Sequence, residues 1–260
     1  MKQLSLIIIS AVLFNSCGNS QTDTIKQETP IEQTAPQAEK FIKNVDAATF
    51  KELIEKEDGI ILDVRTPEEV VNGHIPNAST INIYDEDFEA KINLMQKDKT
   101  IYVYCKSGGR SSQAAQLLQK NGFDKVYNLD GGTMAWEKNN YPLTAPSNTT
   151  DEKIQTISLA DFKTMITTDK PVLVDFHTVW CAPCKKMAPV IDEIETEYAN
   201  KAVVNRIDVD KSKEVAKAYD ISGVPVFILF VSGEQKWKHN GMISKEELKK
   251  QLDQYTSTQE

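Results

Sequence analysis

The sequence predicts two α/β domains in tandem, the first built on a parallel sheet. Three observations lead to this. Short apolar β-type runs alternate with helical stretches over 44–145, the same style of pattern returns over 154–258, and a stretch rich in Pro, Ser, Thr and Asn separates them at 144–151. A chain of 260 residues also suits two domains of about 100 residues each. We therefore expect domains at 44–145 and 154–258, joined by a linker at 146–153.

The elements of each domain follow from local periodicity. In the first domain, continuous apolar strands between helices indicate a parallel sheet that is covered on both faces. We expect strands at 59–64, 100–105 and 125–129 and helices at 47–57 and 111–121, with Gly122 ending the second helix. In the second domain we expect strands at 171–176 and 203–208, a helix after Cys184, a helix at 212–219, a hairpin at 225–238 and a last helix at 244–255.

The N-terminal residues differ from the rest of the chain. Lys2 precedes an apolar run at 4–14 that is too short to span a bilayer, and the run closes with small or polar residues before Cys17. This segment resembles a bacterial lipoprotein signal, and an ordinary signal peptide is the alternative. The resemblance implies a signal peptide at 1–16, a lipid on Cys17 that binds a membrane, and a location in the bacterial envelope facing the periplasm. Residues 17–43 are mostly polar and are expected to form a flexible tether.

Composition excludes some functions and leaves four cysteines to explain. A net charge of −8 without a cationic stripe argues against a nucleic-acid partner. Cys17 is assigned to a lipid and the other three cysteines to reactive sites, which leaves none for a structural disulfide. We expect no cofactor and no metal ion. The thiols are therefore interpreted as chemical groups.

The first predicted site is the loop that follows the strand ending at Cys105. Gly108 and Gly109 allow this loop to curl so that backbone N–H groups face one point, and the next helix adds its positive dipole end there. Such an environment lowers the pKa of a thiol. Arg110 offers a fork of donors to an anionic substrate. The alternative for Cys105 is an inert core cysteine.

At these residues the chain resembles the rhodanese family. The supporting motifs are Cys105-x4-Arg110-Ser111, Leu62-Asp-Val-Arg65, Gly73-His-Ile-Pro76 and Leu129-Asp-Gly-Gly132 running to Trp136. The resemblance implies that Cys105 takes a sulfane sulfur from a small donor such as thiosulfate and carries it as a persulfide. The loop that would cradle the anion comprises Lys106, Ser107, Gly108, Gly109 and Arg110. Related phosphatases have a loop one residue longer, so the spacing here favours sulfur over phosphate.

Other residues of the first domain receive structural interpretations. Asp63 and Arg65 are expected to form an ion pair that braces a strand end. His74 is expected to make a structural hydrogen bond, and Trp136 is assigned to the core. The turn at 130–132 is expected to need positive φ angles.

The second predicted site is the Cys-x-x-Cys segment between a buried strand and a helix. Cys181 should sit at the helix N-terminus with a depressed pKa and partial exposure, and Cys184 one turn inside, ready to resolve a mixed disulfide. Pro183 is tolerated in a first helical turn. A zinc site is disfavoured because the chain has no second cysteine pair and its three histidines lack suitable spacing. An inert structural disulfide is the remaining alternative.

This segment resembles the thioredoxin family over about 154–258, with Trp180-Cys-Ala-Pro-Cys184 as the redox motif. The resemblance implies a central mixed sheet flanked by helices. It makes Asp175 the buried acid that assists proton transfer, and it places Val224 and the cis proline Pro225 beside the disulfide, where with Trp180 they receive substrate. Arg206 stands where family members often carry lysine, and His177 replaces a frequent tryptophan. A carboxylate that is merely satisfied by Arg206 or water is the alternative for Asp175.

Two active sites in one chain suggest a coupled reaction. The first hypothesis is a sulfurtransferase joined to a thiol–disulfide oxidoreductase, in which the Cys181/Cys184 dithiol accepts sulfur from Cys105. Its partners are a sulfane-sulfur donor, thiol or disulfide proteins, and an external redox partner that regenerates the dithiol. The second hypothesis is an envelope thiol–disulfide oxidoreductase whose rhodanese module serves for binding only. The third is a tethered interaction protein with spectator thiols.

Overall fold

The computed structural model describes residues 40–56, 58–145 and 156–256. The predicted signal peptide at 1–16, Cys17, the tether up to residue 39 and the linker at 146–153 lie outside the described residues. Within them the chain forms a five-stranded sheet followed by a four-stranded sheet. The prediction of two α/β domains is confirmed.

The first domain is built on an all-parallel sheet with the strand order β1-β5-β4-β2-β3. Its elements are β1 (Phe41–Val45), α1 (Ala47–Lys56), β2 (Gly59–Asp63), α2 (Pro67–Val70), β3 (Ser79–Thr80), α3 (Phe88–Ile92), β4 (Thr100–Tyr104), α4 (Gly109–Lys120), β5 (Lys125–Leu129) and α5 (Gly132–Lys138).

Strand β4 shows why this sheet needs a cover on both faces. Ile101 and Val103 point into a core that α4 covers, and Tyr102 and Tyr104 point into a second core with Phe50 of α1. All four residues of β4 named here are fully buried. A strand with apolar side chains on both faces is stable only as the inner strand of a covered sheet. Its carboxyl end therefore delivers Cys105 to a fixed position.

Two boundaries differ from the sequence prediction. The first domain was predicted to start at residue 44, but β1, which the sequence did not predict, starts at Phe41 and pairs along its whole length with β5. Its edge position leaves Lys43 and Asn44 exposed, so the strand has a polar sequence. Helix α4 begins at Gly109, two residues before the predicted start, because Gly108 adopts the left-handed conformation and forms its N-cap.

The second domain has the strand order β7-β6-β8-β9, in which only β6 and β7 are parallel. Its elements are α6 (Leu159–Ile166), β6 (Val172–His177), α7 (Ala182–Glu197), β7 (Val203–Asp208), α8 (Lys213–Ala218), β8 (Val226–Val231), β9 (Glu234–Asn240) and α9 (Lys245–Thr256). Every residue of β6 is buried, which makes this strand the centre of the domain and fixes the start of α7. The mixed sheet is as predicted.

None of the helices in 40–56, 58–145 and 156–256 is long and apolar enough to cross a bilayer. The described part of the chain holds no group of three or more His, Cys, Asp or Glu side chains arranged to hold a metal ion.

Candidate functional sites

The thiol of Cys105 lies in a ring of hydrogen-bond donors. The Gly108 N–H donates to Sγ at 3.2 Å, and the Ser111 hydroxyl lies 3.4 Å from Sγ and 3.0 Å from the Gly108 carbonyl oxygen. Gly108 has φ +97°, a conformation that favours glycine and that turns its N–H toward the sulfur. The loop thus has the donor arrangement that the sequence predicts.

These donors decide the ionisation of Cys105. Burial disfavours the thiolate, but hydrogen bonds from the side chain and backbone of Ser111 and from the N–H groups of Ser107 and Gly108 outweigh it, so the pKa of Cys105 is lowered from its ordinary value. The thiolate is the nucleophilic form of cysteine. The side chain is fully buried, while Lys106, Ser107 and Gly109 are exposed at the mouth of the loop.

Replacing Ser111 by alanine is expected to raise the pKa of Cys105 by about one unit, because a hydrogen bond to a charged group contributes roughly 1.5 kcal/mol and one pKa unit corresponds to about 1.4 kcal/mol. The rate of alkylation at Cys105 should then fall at neutral pH and recover as the pH rises. Ser112→Ala is the matched control, since Ser112 bonds the Gly108 carbonyl and Asn128 instead of the sulfur. Equal pH profiles for the two variants would refute this account of the thiol.

Helix α5 fixes the loop that follows Cys105 through hydrogen bonds to two of its backbone carbonyls. Its Thr133 N–H donates to the Cys105 carbonyl at 2.8 Å, and its Met134 N–H donates to the Lys106 carbonyl at 3.1 Å. Gly132 makes this contact feasible, because a Cβ there would lie 2.3 Å from the Cys105 carbonyl oxygen. With their carbonyls fixed below, the loop peptides point their N–H groups at the sulfur. The sequence predicted a turn with positive φ angles here, and Gly131 and Gly132 have them. It did not predict the hydrogen bonds from α5 to the loop.

The Arg110 guanidinium is engaged by a partner that sequence reasoning missed. It makes two hydrogen bonds to the Glu69 carboxylate, at 2.6 and 2.7 Å. These bonds lower the pKa of Glu69 to about 2, so the ion pair persists at neutral pH. The predicted role of Arg110 in binding an anion stays a prediction, and it now requires that Glu69 release or share the guanidinium. Glu69 lies 41 residues away in sequence, with no local pattern linking them.

The structural interpretations of neighbouring residues are confirmed. Arg65 and Asp63 form a buried ion pair at 2.6 Å, and Arg65 also donates to the Gly73 carbonyl. His74 pairs with Thr144 through the backbone, and its ring contacts the Ile75 carbonyl. Trp136 is buried in the core between α1 and the sheet.

The second site lies where β6 leads into α7. Cys181 is the N-cap of the helix, and its sulfur accepts from the Cys184 N–H at 3.1 Å. The two cysteines form a disulfide, so the described state is the oxidised one. The Trp180 indole N–H donates to Asp210.

The expected partial exposure of Cys181 is wrong. Cys181 is 2% exposed and Cys184 is 3% exposed. The physical reason is a cover from the first domain, whose Ser79 and Thr80 lie over this segment. The Ala182 N–H donates to the Ser79 hydroxyl at 3.0 Å, and the Thr80 N–H donates to the Trp180 carbonyl at 3.3 Å.

Other predicted residues of the second domain take the following positions. The Val224–Pro225 bond is cis, as expected. Asp175 is buried on the central strand β6, opposite Arg206 in the register with β7. The Arg206 guanidinium donates to the Ala188 carbonyl at 2.9 Å and to Asp192 at 3.1 Å on α7. The proton-transfer role of Asp175 stays a prediction.

An α/β domain with a Cys-x-x-Cys disulfide at a helix start, preceded by a domain with a cysteine in a donor loop, is a thiol–disulfide oxidoreductase with a sulfurtransferase-like module. Comparison with known proteins agrees. The sequence model of the family described as Thioredoxin matches residues 153–254, and that of the Rhodanese-like domain matches residues 46–139.

Individual relatives match the second domain. Thioredoxin of Alicyclobacillus acidocaldarius subsp. acidocaldarius is 40% identical over 97 residues, which cover 37% of this chain and 92% of the relative. Thioredoxin C-2 of Corynebacterium nephridii is 38% identical over 107 residues, which cover 41% of this chain and 93% of the relative. A solved structure of Plasmodium falciparum thioredoxin has a TM-score of 0.36 and 34% identity, covering 40% of this chain and 98% of that one. Through its second domain, the chain belongs to the thioredoxin family.

Proposed function

We propose that the protein reduces sulfane sulfur to sulfide by coupling its two sites. Cys105 takes the sulfur from a small donor, and the Cys181/Cys184 dithiol removes it. The observation that carries this proposal is the donor ring at Cys105, which stabilises a sulfur anion at that point. A persulfide anion places its charge on the outer sulfur, where exposed loop residues and solvent can also stabilise it.

The proposed steps conserve atoms and electrons. The Cys105 thiolate attacks the outer sulfur of thiosulfate, the S–S bond breaks, and sulfite leaves with its electron pair. The Cys181 thiolate then attacks the outer sulfur of the Cys105 persulfide and releases the Cys105 thiolate. Cys184 gives its proton to the outer sulfur on Cys181, attacks the Cys181 sulfur as a thiolate, releases hydrosulfide and closes the disulfide. An external dithiol reductant supplies the two electrons for the next cycle.

The strand order separates the end of β4, which Cys105 follows, from the strand whose residues contact the second domain. Strand β2 lies between β4, which carries Cys105, and β3, which contacts the second domain. Neighbouring strands are about 4.8 Å apart, so β3 lies roughly 10 Å from β4. The proposed transfer therefore includes a movement in which the second domain leaves this contact and approaches the mouth of the loop.

A second candidate function is a thiol–disulfide oxidoreductase whose first domain serves as a binding module and transfers no sulfur. The Arg110–Glu69 ion pair favours it, because this pair neutralises Arg110, one of the two cations of the loop. Under this alternative Cys105 would not load sulfur. Loading therefore distinguishes the two functions.

Exposure of the reduced protein to thiosulfate is expected to add one sulfur atom at Cys105, because the ring of donors stabilises both the attacking thiolate and the persulfide product. Intact-mass measurement and peptide mapping would detect the adduct. Cys105→Ser should carry none and should still reduce small disulfides through Cys181. Disulfide reduction without any adduct in the wild-type chain would instead support the second candidate.

A further inference from the structure

Two segments of the first domain hydrogen-bond to the backbone groups that surround the disulfide. Besides the bonds that Ser79 and Thr80 make to Ala182 and Trp180, the Val224 N–H donates to the Leu94 carbonyl at 2.8 Å. The Gln96 side-chain amide reaches the Val224 carbonyl at 3.5 Å. These four contacts lie on both sides of the cysteine pair.

The contacts at Val224 occupy both of its backbone polar groups. An extended peptide that adds to an exposed backbone edge uses the same two groups, one as donor and one as acceptor. The Gln96 side chain also packs closely against Gly223 and Gly241. A Cβ on Gly223 would lie 3.6 Å from the Gln96 side chain, and one on Gly241 would lie 3.0 Å from its amide nitrogen.

The cover also removes the sulfur atoms from solvent. Trp180 is 6% exposed, and Cys181 and Val224 are each 2% exposed. Thiol–disulfide exchange requires a thiolate to approach one sulfur of the disulfide, so its rate depends on access. A protein thiol carried on a folded surface needs more room than a small thiol. The described state is therefore closed to protein partners.

We propose that residues 79–96 act as an internal competitor for protein substrates at the redox site, so that protein disulfides and dithiols react only after this segment leaves Trp180, Ala182 and Val224. This inference rests on the proposed redox activity of the Cys181/Cys184 pair. It adds a step before any protein partner reacts, because the contact at Trp180, Ala182 and Val224 must first open. The proposed movement for sulfur transfer would start from this same contact.

Gln96→Glu tests the competitor with nearly unchanged side-chain volume. A glutamate carboxylate cannot donate to the Val224 carbonyl, and its oxygens would face that carbonyl at close range. The open form should become about tenfold more populated, which corresponds to about 1.4 kcal/mol. In reduced protein carrying Cys105→Ser, alkylation of Cys181 by iodoacetamide and reduction of a protein disulfide should both accelerate about tenfold.

Gln116→Glu is the matched control, because Gln116 is exposed on α4 and the substitution makes the same change of charge. Its rates should equal those of the wild type. Ser79→Ala, which removes the acceptor for the Ala182 N–H, is a second opening variant and should accelerate the same reactions. Circular dichroism of each variant would show that it is folded.

The outcomes separate the competitor from the redox function. If Cys181 and Cys184 cycle between dithiol and disulfide with a small dithiol, but both opening variants react at the wild-type rate, the competitor is refuted and the redox function stands. If the pair does not cycle in any variant, both proposals fail. Acceleration in the opening variants and not in Gln116→Glu supports the competitor.

Discussion

Replacing Cys181 by serine is expected to lower the rate of sulfide release from the loaded protein by on the order of a thousandfold or more, as removal of a covalent nucleophile does in other enzymes. The hydroxyl of serine does not ionise near neutral pH, so it cannot attack the outer sulfur of the Cys105 persulfide. Cys184 lies in the first turn of α7 rather than at its N-cap, which leaves it a poor substitute nucleophile. The measurement is a single-turnover assay of sulfide after excess thiosulfate is removed.

Two controls accompany this variant. Sulfur loading at Cys105 should be unchanged in Cys181→Ser, because Cys105 and its donors belong to the first domain. Cys105→Ser should release no sulfide because it carries none. An unchanged rate of release in Cys181→Ser would show that the dithiol is not the acceptor.

Replacing Gly132 by alanine is expected to destabilise the first domain by about 2–4 kcal/mol, the usual range when overpacking and a strained positive φ combine. The added Cβ would lie 2.3 Å from the Cys105 carbonyl oxygen and 2.6 Å from the Lys106 carbonyl carbon, both of which are backbone atoms that cannot turn away. The residue also has φ +58°. The loop must shift, and its N–H groups would then point away from the sulfur.

The readouts for Gly132→Ala are the melting temperature and the pKa of Cys105 from the pH dependence of alkylation. The melting temperature should fall and the pKa should rise toward its ordinary value. Gly109→Ala is the control for stability, because a Cβ at that position would meet no described atom within 4 Å beyond its chain neighbours and the backbone of its own helix. A Gly132→Ala protein with wild-type stability and reactivity would mean that α5 does not set the loop.

Much of the fold follows from local sequence. The apolar runs of β2, β4 and β6 predicted buried strands because only covered sheets tolerate them. The spacing of Cys105, Gly108 and Arg110 predicted a donor loop because glycine permits the backbone turn that this loop requires. Strand β1 was not predicted, because an edge strand needs few apolar residues.

What could not be predicted are contacts between residues far apart in sequence. Glu69 is an ordinary surface charge by pattern and Arg110 was assigned to an anionic substrate, so only the fold shows that the two side chains pair. Ser79 and Gln96 belong to no motif, yet they contact Ala182 and Val224, which lie 103 and 128 residues further along the chain. The burial of Cys181 follows from those contacts. Its exposure was mispredicted because the second domain was considered alone.

The central claim, that the dithiol reduces the sulfur held at Cys105, is tested most directly by the stoichiometry of a single turnover. Fully reduced protein loaded with one sulfur at Cys105 would be followed in time for sulfide and for the Cys181–Cys184 disulfide. We predict one sulfide and one disulfide for each sulfur loaded, appearing together. Sulfide that appears while Cys181 and Cys184 remain reduced, or a persulfide that persists beside the free dithiol, would contradict the account.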